Sequence, residues 1–278
     1  MNTLEGNFKS VRNINIYYQA WLPDRDPKAV LLFVHGMGSH SGRYMNIVNH
    51  FVPHGVAVYG HDHAGHGKSG GERGTVRRFE DFTDTLGMYC RMVKGWQAGK
   101  PVFLFGHSMG GLIATCYLLG HQAEFDGAIL SAPALMPANN ISPAMILLGR
   151  ILAAVMPRKG LIRLDPAGLS HDPEVVKAYI DDPLVFHGKT PARLAVELVK
   201  AMRRVTKAAD RITLPFLTFL GGAERIVNPD GARMLFERAG SKDKTIKIYE
   251  GLYHETFNEP ERARVLEDMT LWLDAHIG

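Results

Sequence analysis

Hydrophobic positions along the chain fall into two rhythms that alternate. Ala29-Val30-Leu31-Leu32-Phe33-Val34 and Pro101-Val102-Phe103-Leu104-Phe105 are apolar without a break, and Leu214-Pro215-Phe216-Leu217-Thr218-Phe219-Leu220 nearly so. Short runs without polar alternation are expected of strands covered on both faces. Shorter runs at 56–59, 127–133 and 245–249 read the same way. Between them, Phe79, Phe82, Leu86, Tyr89, Val93 and Trp96 recur at spacings of three and four, the stripe of an amphipathic helix. Further helices are predicted through Val52, over 112–119, over 231–239 and over 261–277. Near the N-terminus the polar–apolar alternation of 14–21, with Phe8 beyond the Arg12-Asn13 break, predicts a hairpin. Strands alternating with helices predict an α/β fold built on a mostly parallel, doubly wound sheet.

One region breaks the alternation. Residues 136–206 are rich in helix formers and contain no strand run, so they are expected to form an inserted helical cap. Its place would be over the carboxyl edge of the sheet, where such folds bind ligands. The chain then divides into a first core part (1–135), the cap (136–206) and a second core part (207–278). Within the cap, 143–157 is nearly all apolar, a helix either packed on the core or facing lipid. Arg150 interrupts it, and it is shorter than the ~20 residues that span a bilayer.

The cap holds ten Lys/Arg against six Asp/Glu, a surplus equal to the whole formal charge of +4. So small a charge gives no reason to expect nucleic acid. A positive segment beside an apolar helix suits peripheral contact with a membrane or lipid droplet. The first seven residues lack the basic and apolar regions of a signal peptide, and a cytoplasmic location is expected. Without secretion, the glycosylation pattern Asn140-Ile141-Ser142 carries no weight. Cys90 and Cys116 both lie in helical patterns and are expected as buried apolar fillers, not a disulfide.

Candidate chemistry centres on Gly106-His107-Ser108-Met109-Gly110-Gly111, set between a strand run and a helix run. A serine flanked by glycines at that junction is a nucleophile elbow. The phosphate-loop alternative fails because no Gly-Lys-Ser/Thr follows. A serine hydroxyl needs a base, and the base an orienting acid. On this architecture they follow in the order nucleophile, acid, histidine. Of thirteen histidines only His254 and His276 lie beyond residue 187, and His276 falls within the terminal helix pattern. His254 is therefore the candidate base.

Glu224 is the first carboxylate after the 214–220 strand and the candidate acid; Asp230, behind Pro229, reads instead as a helix N-cap. Two backbone N–H groups should face the developing oxyanion: Met109, after the nucleophile, and Met37, in the glycine frame His35-Gly36-Met37-Gly38. His61, His63 and His66 surround the Asp62-x-x-Gly65-x-Gly67-x-Ser69 pattern, which is turn chemistry. No metal and no cofactor are expected.

Taken together, these stretches resemble the monoacylglycerol lipase and lysophospholipase branch of the α/β-hydrolases. The resemblance covers nearly the whole chain. It rests on the elbow, on 35–44, on Asp62-His63-Ala64-Gly65-His66-Gly67-Lys68-Ser69 and on Leu130-Ser131-Ala132-Pro133. It also rests on Ser170-His171-Asp172-Pro173-Glu174 and Asp182-Pro183-Leu184, and on Tyr249-Glu250-Gly251-Leu252-Tyr253-His254-Glu255. It implies an α/β-hydrolase fold with an inserted helical cap and hydrolysis of a monoglyceride to fatty acid and glycerol. Ser108 would be the nucleophile, His254 the base, and Met37 and Met109 the oxyanion donors. The chain departs from the family at Glu224, where aspartate is usual, and at Ala64, where an arginine or another larger residue is usual. Gly36, Arg43, His107, Leu147 and Ile151 are the candidate substrate-binding residues. A lysophospholipase or general carboxylesterase would share every residue named. A catalytically dead, lipid-binding protein on the same fold is the reading from a different class, and it rests on Glu224 alone.

Overall fold

The computed structural model describes residues 1–138 and 141–278. The chain opens with β1 (Asn2–Lys9) and β2 (Asn15–Leu22), an antiparallel pair turning through Asn13 at φ 59°. β1 begins six residues before Phe8; most of its side chains are exposed, so no apolar pattern marks it. β3 (Ala29–Val34), α1 (Met45–Phe51), β4 (Val56–His61), α2 (Glu80–Trp96), β5 (Val102–His107), α3 (Met109–His121) and β6 (Gly127–Ser131) follow. The next segment holds α4 (Pro143–Val155), β7 (Gly160–Ile162), α5 (Pro173–Asp181), β8 (Thr190–Pro191) and α6 (Ala192–Ala208). β9 (Phe216–Gly221), α7 (Asp230–Arg238), β10 (Lys244–Tyr249) and α8 (Arg262–Asp274) complete the chain.

Among the described residues an eight-stranded sheet runs in the order β1-β2-β4-β3-β5-β6-β9-β10. It is antiparallel at β1–β2 and β2–β4 and parallel elsewhere. β3, β4, β5 and β6 are buried throughout, which is why each shows an apolar run with no polar alternation, broken only at the carboxyl ends of β4, β5 and β6. One face packs Leu32 and Leu104 against Leu86, Leu112 and Val205. The other packs Phe33 and Phe105 against Ile47, Phe51 and Leu273. Since Val34 pairs with Gly106 and His107 with Ser131, the carboxyl ends of β3, β5 and β6 lie side by side. The loops they release share one edge of the sheet.

The segment between β6 and β9 corrects one expectation. It does contain strands: β7 and β8 form a small antiparallel pair. Three residues and two are too few to leave an apolar run in the sequence. α6 returns to the core, with Leu194, Ala201 and Val205 in the same buried cluster as Leu112 and Leu118 of α3. α4 packs against α6 instead of the sheet, through Ala153 on Ala192 and Val196. Met145, Leu147, Leu148, Ile151 and Val155 of α4 are nonetheless each more than half exposed. Asn140 of the glycosylation pattern lies outside the described residues. Among those residues no helix is long and apolar enough to cross a membrane. Cys90 and Cys116 are buried and free, and burial pushes their thiols up to about 12 and about 11.

Candidate active site

Ser108 occupies the corner between β5 and α3 at φ 56° and ψ −120°, a region non-glycine residues seldom adopt. The surrounding backbone holds it there. Ser108 N–H donates to Ser131 O at 3.0 Å, and Ser108 O accepts from Ala134 N–H at 3.0 Å and Leu112 N–H at 3.2 Å. A Cβ at Gly106 would sit 2.7 Å from Gly110 O, and one at Gly110 would sit 2.0 Å from Val34 O. Helix and strand approach that closely only because both positions are glycine.

His254 stands in the loop after β10, with Nδ1 2.8 Å from Glu224 Oε2. The second oxygen, Oε1, accepts the N–H groups of Ile226 at 2.7 Å and Val227 at 3.2 Å. Both side chains are almost sealed from solvent, at 2% and 1% exposure. Burial pushes the Glu224 pKa up, but the His254 charge and these hydrogen bonds outweigh it and hold the carboxyl below its ordinary value. A carboxylate only accepts, so His254 Nδ1 carries a proton, and in the neutral ring Nε2 is the acceptor. The extra methylene of glutamate is thus accommodated, with both oxygens satisfied.

The His107 ring lies 4.6 Å from the His254 ring, bringing the candidate base to the elbow. His107 itself is kept neutral, chiefly by burial and then by the neighbouring His254. On the other side of Ser108 runs the 35–38 loop: a Cβ on Gly36 would be 3.3 Å from Ser108 Cβ. Among the described residues neither Met37 N–H nor Met109 N–H donates to a protein acceptor. Two free donors beside a raised serine can receive negative charge on a carbonyl oxygen.

Comparison with known proteins identifies the family. A family model described as serine aminopeptidase, S33, matches residues 25–261. A monoacylglycerol lipase of Mycolicibacterium smegmatis is 37% identical over 98% of this chain and 98% of its own. The monoglyceride lipase of Homo sapiens is 36% identical over 93% of this chain and 86% of its own. A Paleococcus ferrophilus monoacylglycerol lipase crystal structure superposes with a TM-score of 0.82 at 33% identity, over 99% of this chain and 100% of that one. The chain is an α/β-hydrolase of the monoacylglycerol lipase branch. It is a carboxylic ester hydrolase.

Within the hydrolase the remaining candidates separate. Gly36 and His107 adjoin Ser108. Arg43 is committed elsewhere: its guanidinium bonds both oxygens of Glu255, at 2.9 and 3.2 Å, and lies 4.7 Å over the Tyr179 ring. Leu147 and Ile151 face outward from α4. They do not line the cavity of about 300 Å³ between α4, β7 and α6, whose walls include Met145, Leu148, Leu152, Ile162 and Val196. Asp230 is exposed and opens α7, with Pro229 in the cap position before it. Asp62 accepts Ser41 N–H at 2.7 Å and Lys68 N–H at 2.8 Å, tying its own loop to the one after β3. Among the described residues no group of His, Cys, Asp and Glu side chains is arranged to hold a metal.

Sequence reasoning missed Glu259. It is fully buried and accepts Ser170 Oγ–H at 2.8 Å, His171 N–H at 2.8 Å and Tyr253 N–H at 2.6 Å. His254 N–H and Glu255 N–H donate to Gly168 O and Leu169 O. The loop bearing His254 is therefore fastened to the β6–β9 segment. A glutamate just ahead of a helix reads in sequence as a solvated residue, and only its burial reveals the role.

Proposed function

We propose that this hydrolase cleaves the ester of monoacylglycerols, releasing fatty acid and glycerol, with Ser108, Glu224 and His254 as its triad. The observation that carries the reading is the sealed Glu224–His254 bond of 2.8 Å beside a serine held at positive φ. His254 Nε2 takes the proton as Ser108 Oγ attacks the ester carbonyl. Met37 N–H and Met109 N–H receive the charge on the tetrahedral oxygen, and Glu224 stabilises the imidazolium. His254 then protonates the departing glycerol oxygen, leaving Ser108 acylated. A water activated by His254 repeats the sequence and frees the fatty acid.

Residues 136–206 serve as the cap in this reading. The outer face of α4 supports its docking on a lipid surface, since burying one leucine side chain contributes roughly 1.5–3 kcal/mol. The enzyme would then work from the cytoplasm as a peripheral protein. The choice of monoacylglycerol among esters rests on the relatives' substrate names; a lysophospholipid or simple ester would use the same machinery. The unpaired N–H donors and the oriented base speak against a dead binding protein.

The test is fatty-acid release from a medium-chain monoacylglycerol by the intact chain and by Ser108→Ala. Turnover should fall by about 10⁴-fold or more in the variant, and fluorophosphonate labelling should vanish. Retained release in folded Ser108→Ala sinks the proposal.

A further inference from the structure

Among the described residues the four buried histidines His35, His61, His63 and His66 are not grouped as metal ligands, yet they are packed ring to ring. The His35 and His63 centroids lie 3.9 Å apart, and His35 and His66 5.5 Å. Hydrogen bonds from the His35 and His63 rings run to the two peptide units immediately before Met37, whereas His66 Nδ1 bonds Ala64 O. In the first unit, His35–Gly36, the carbonyl accepts His63 Nε2–H at 3.0 Å and the N–H donates to Tyr44 Oη at 3.0 Å. In the second, Gly36–Met37, the carbonyl accepts His35 Nδ1–H at 2.8 Å and Ser39 N–H at 3.3 Å. Three of the four polar groups of these units are thereby tied. The fourth, Met37 N–H, has no partner among the described residues. Because the peptide is planar and trans, fixing Gly36 O in one direction aims Met37 N–H in the opposite one.

The pattern also dictates protonation. His35 Nδ1 donates to Gly36 O, while His35 Nε2 accepts the His63 backbone N–H at 2.9 Å. An imidazole doing both is neutral. We infer that the reciprocal His35–His63 pair is a positioning device that aims Met37 N–H at the oxyanion, so that these histidines act on turnover through the peptide they hold. The inference rests on the Ser108 reading proposed above. Neither residue is itself catalytic, since neither touches the reacting atoms.

The test compares His35→Ala with His35→Asn, whose amide can keep the donor to Gly36 O, and His63→Leu with His63→Gln, whose amide can keep the donor to His35 O. Each is assayed for kcat and KM on a medium-chain monoacylglycerol. Each is also assayed for Ki of an alkyl trifluoromethyl ketone, which adds Ser108 Oγ to its carbonyl carbon and leaves an oxyanion. The matching secondary alcohol, which forms no adduct, is the control ligand.

His35→Ala and His63→Leu should lower kcat by about 10²-fold, the scale of one lost oxyanion donor, with KM within about threefold. Ketone affinity should weaken in step with kcat while alcohol affinity holds. His35→Asn and His63→Gln should recover about tenfold. If one alanine or leucine variant fails to fold, the other pair carries the same comparison. Variants with unchanged kcat, or with KM and both ligands affected alike, overturn the inference. Ser108→Ala separates the two failures: if it stays active the serine reading falls, and if it is dead while the histidine variants match the parent, only the positioning role falls.

Discussion

The loops around Ser108 and the outer face of α4 are opposite kinds of surface. Around Ser108 the polar side chains that shape the site are tied: Asp62 to Ser41 and Lys68, Glu224 to three N–H groups, Glu259 to Ser170, His171 and Tyr253. Backbone approaches are close enough that two glycines admit no Cβ. On α4 the situation is reversed, with Leu147, Leu148 and Ile151 at 59%, 56% and 54% exposure. Bond-making needs atoms held within fractions of an ångström, whereas contact with a fluid acyl chain or lipid surface needs only apolar area. The same chain therefore ties its polar side chains around Ser108 and leaves the outer face of α4 uncovered.

Four tests would sharpen or break this contrast. The largest effect should follow Glu224→Gln. The amide keeps an acceptor for Ile226 and Val227 but presents N–H to His254 Nδ1, favouring the wrong tautomer. Turnover should fall by about 10³–10⁴-fold with the melting temperature little changed, while Asp230→Asn leaves turnover intact. The reverse ranking would move the acid to Asp230. Next comes Glu259→Ala, which removes the buried acceptor of Ser170 Oγ–H, His171 N–H and Tyr253 N–H and should cost about 2–5 kcal/mol in denaturant unfolding. A loss within 0.5 kcal/mol would mean that the His254 loop is not fastened through this carboxylate.

A smaller, pH-dependent effect is expected at His61, whose two ring nitrogens are buried without a partner among the described residues. Burial lowers its pKa from 6.5 to about 4. The unfolded chain then binds the proton first, so stability present above pH 6.5 is lost as pH falls from 6.5 toward 4. His61→Phe should raise the melting temperature at pH 5 and flatten its slope across that window. An unchanged slope refutes the assignment to His61. The smallest effect on stability belongs to Leu147→Ser with Leu148→Ser, within about 0.5 kcal/mol at exposed positions. Sedimentation with anionic vesicles should nonetheless drop several-fold; unchanged binding removes the membrane role from α4.

Legibility followed the range of the interactions. β3 was readable residue for residue over Ala29–Val34, because burial on both faces leaves an unbroken apolar run. β4 continues two residues past the readable 56–59, since Gly60 and His61 are buried without being apolar. The elbow is a local steric motif and was visible in six residues. Glu224 and His254 were placed by their order along the chain, although their contact spans 30 residues. Arg43 could not be placed: its partner Glu255 is 212 residues away, and a charge in a loop near a site is as easily structural as ligand-binding. His63 was read as turn chemistry and His35 only as part of the oxyanion loop's glycine frame, because nothing local says which peptide each ring would hold.

Periodicity and local sterics alone specified the strand–helix order, the elbow serine and the apolar character of α4. Those properties depend on neighbours a few residues apart, where burial and backbone clash act directly. Which buried carboxylate meets which donor, and which face of α4 stays open, were decided by the closed tertiary structure. A bond such as Glu259 to Ser170 exists only once the sheet has brought distant loops to one edge, because before that the entropy of closing them exceeds what any single contact returns.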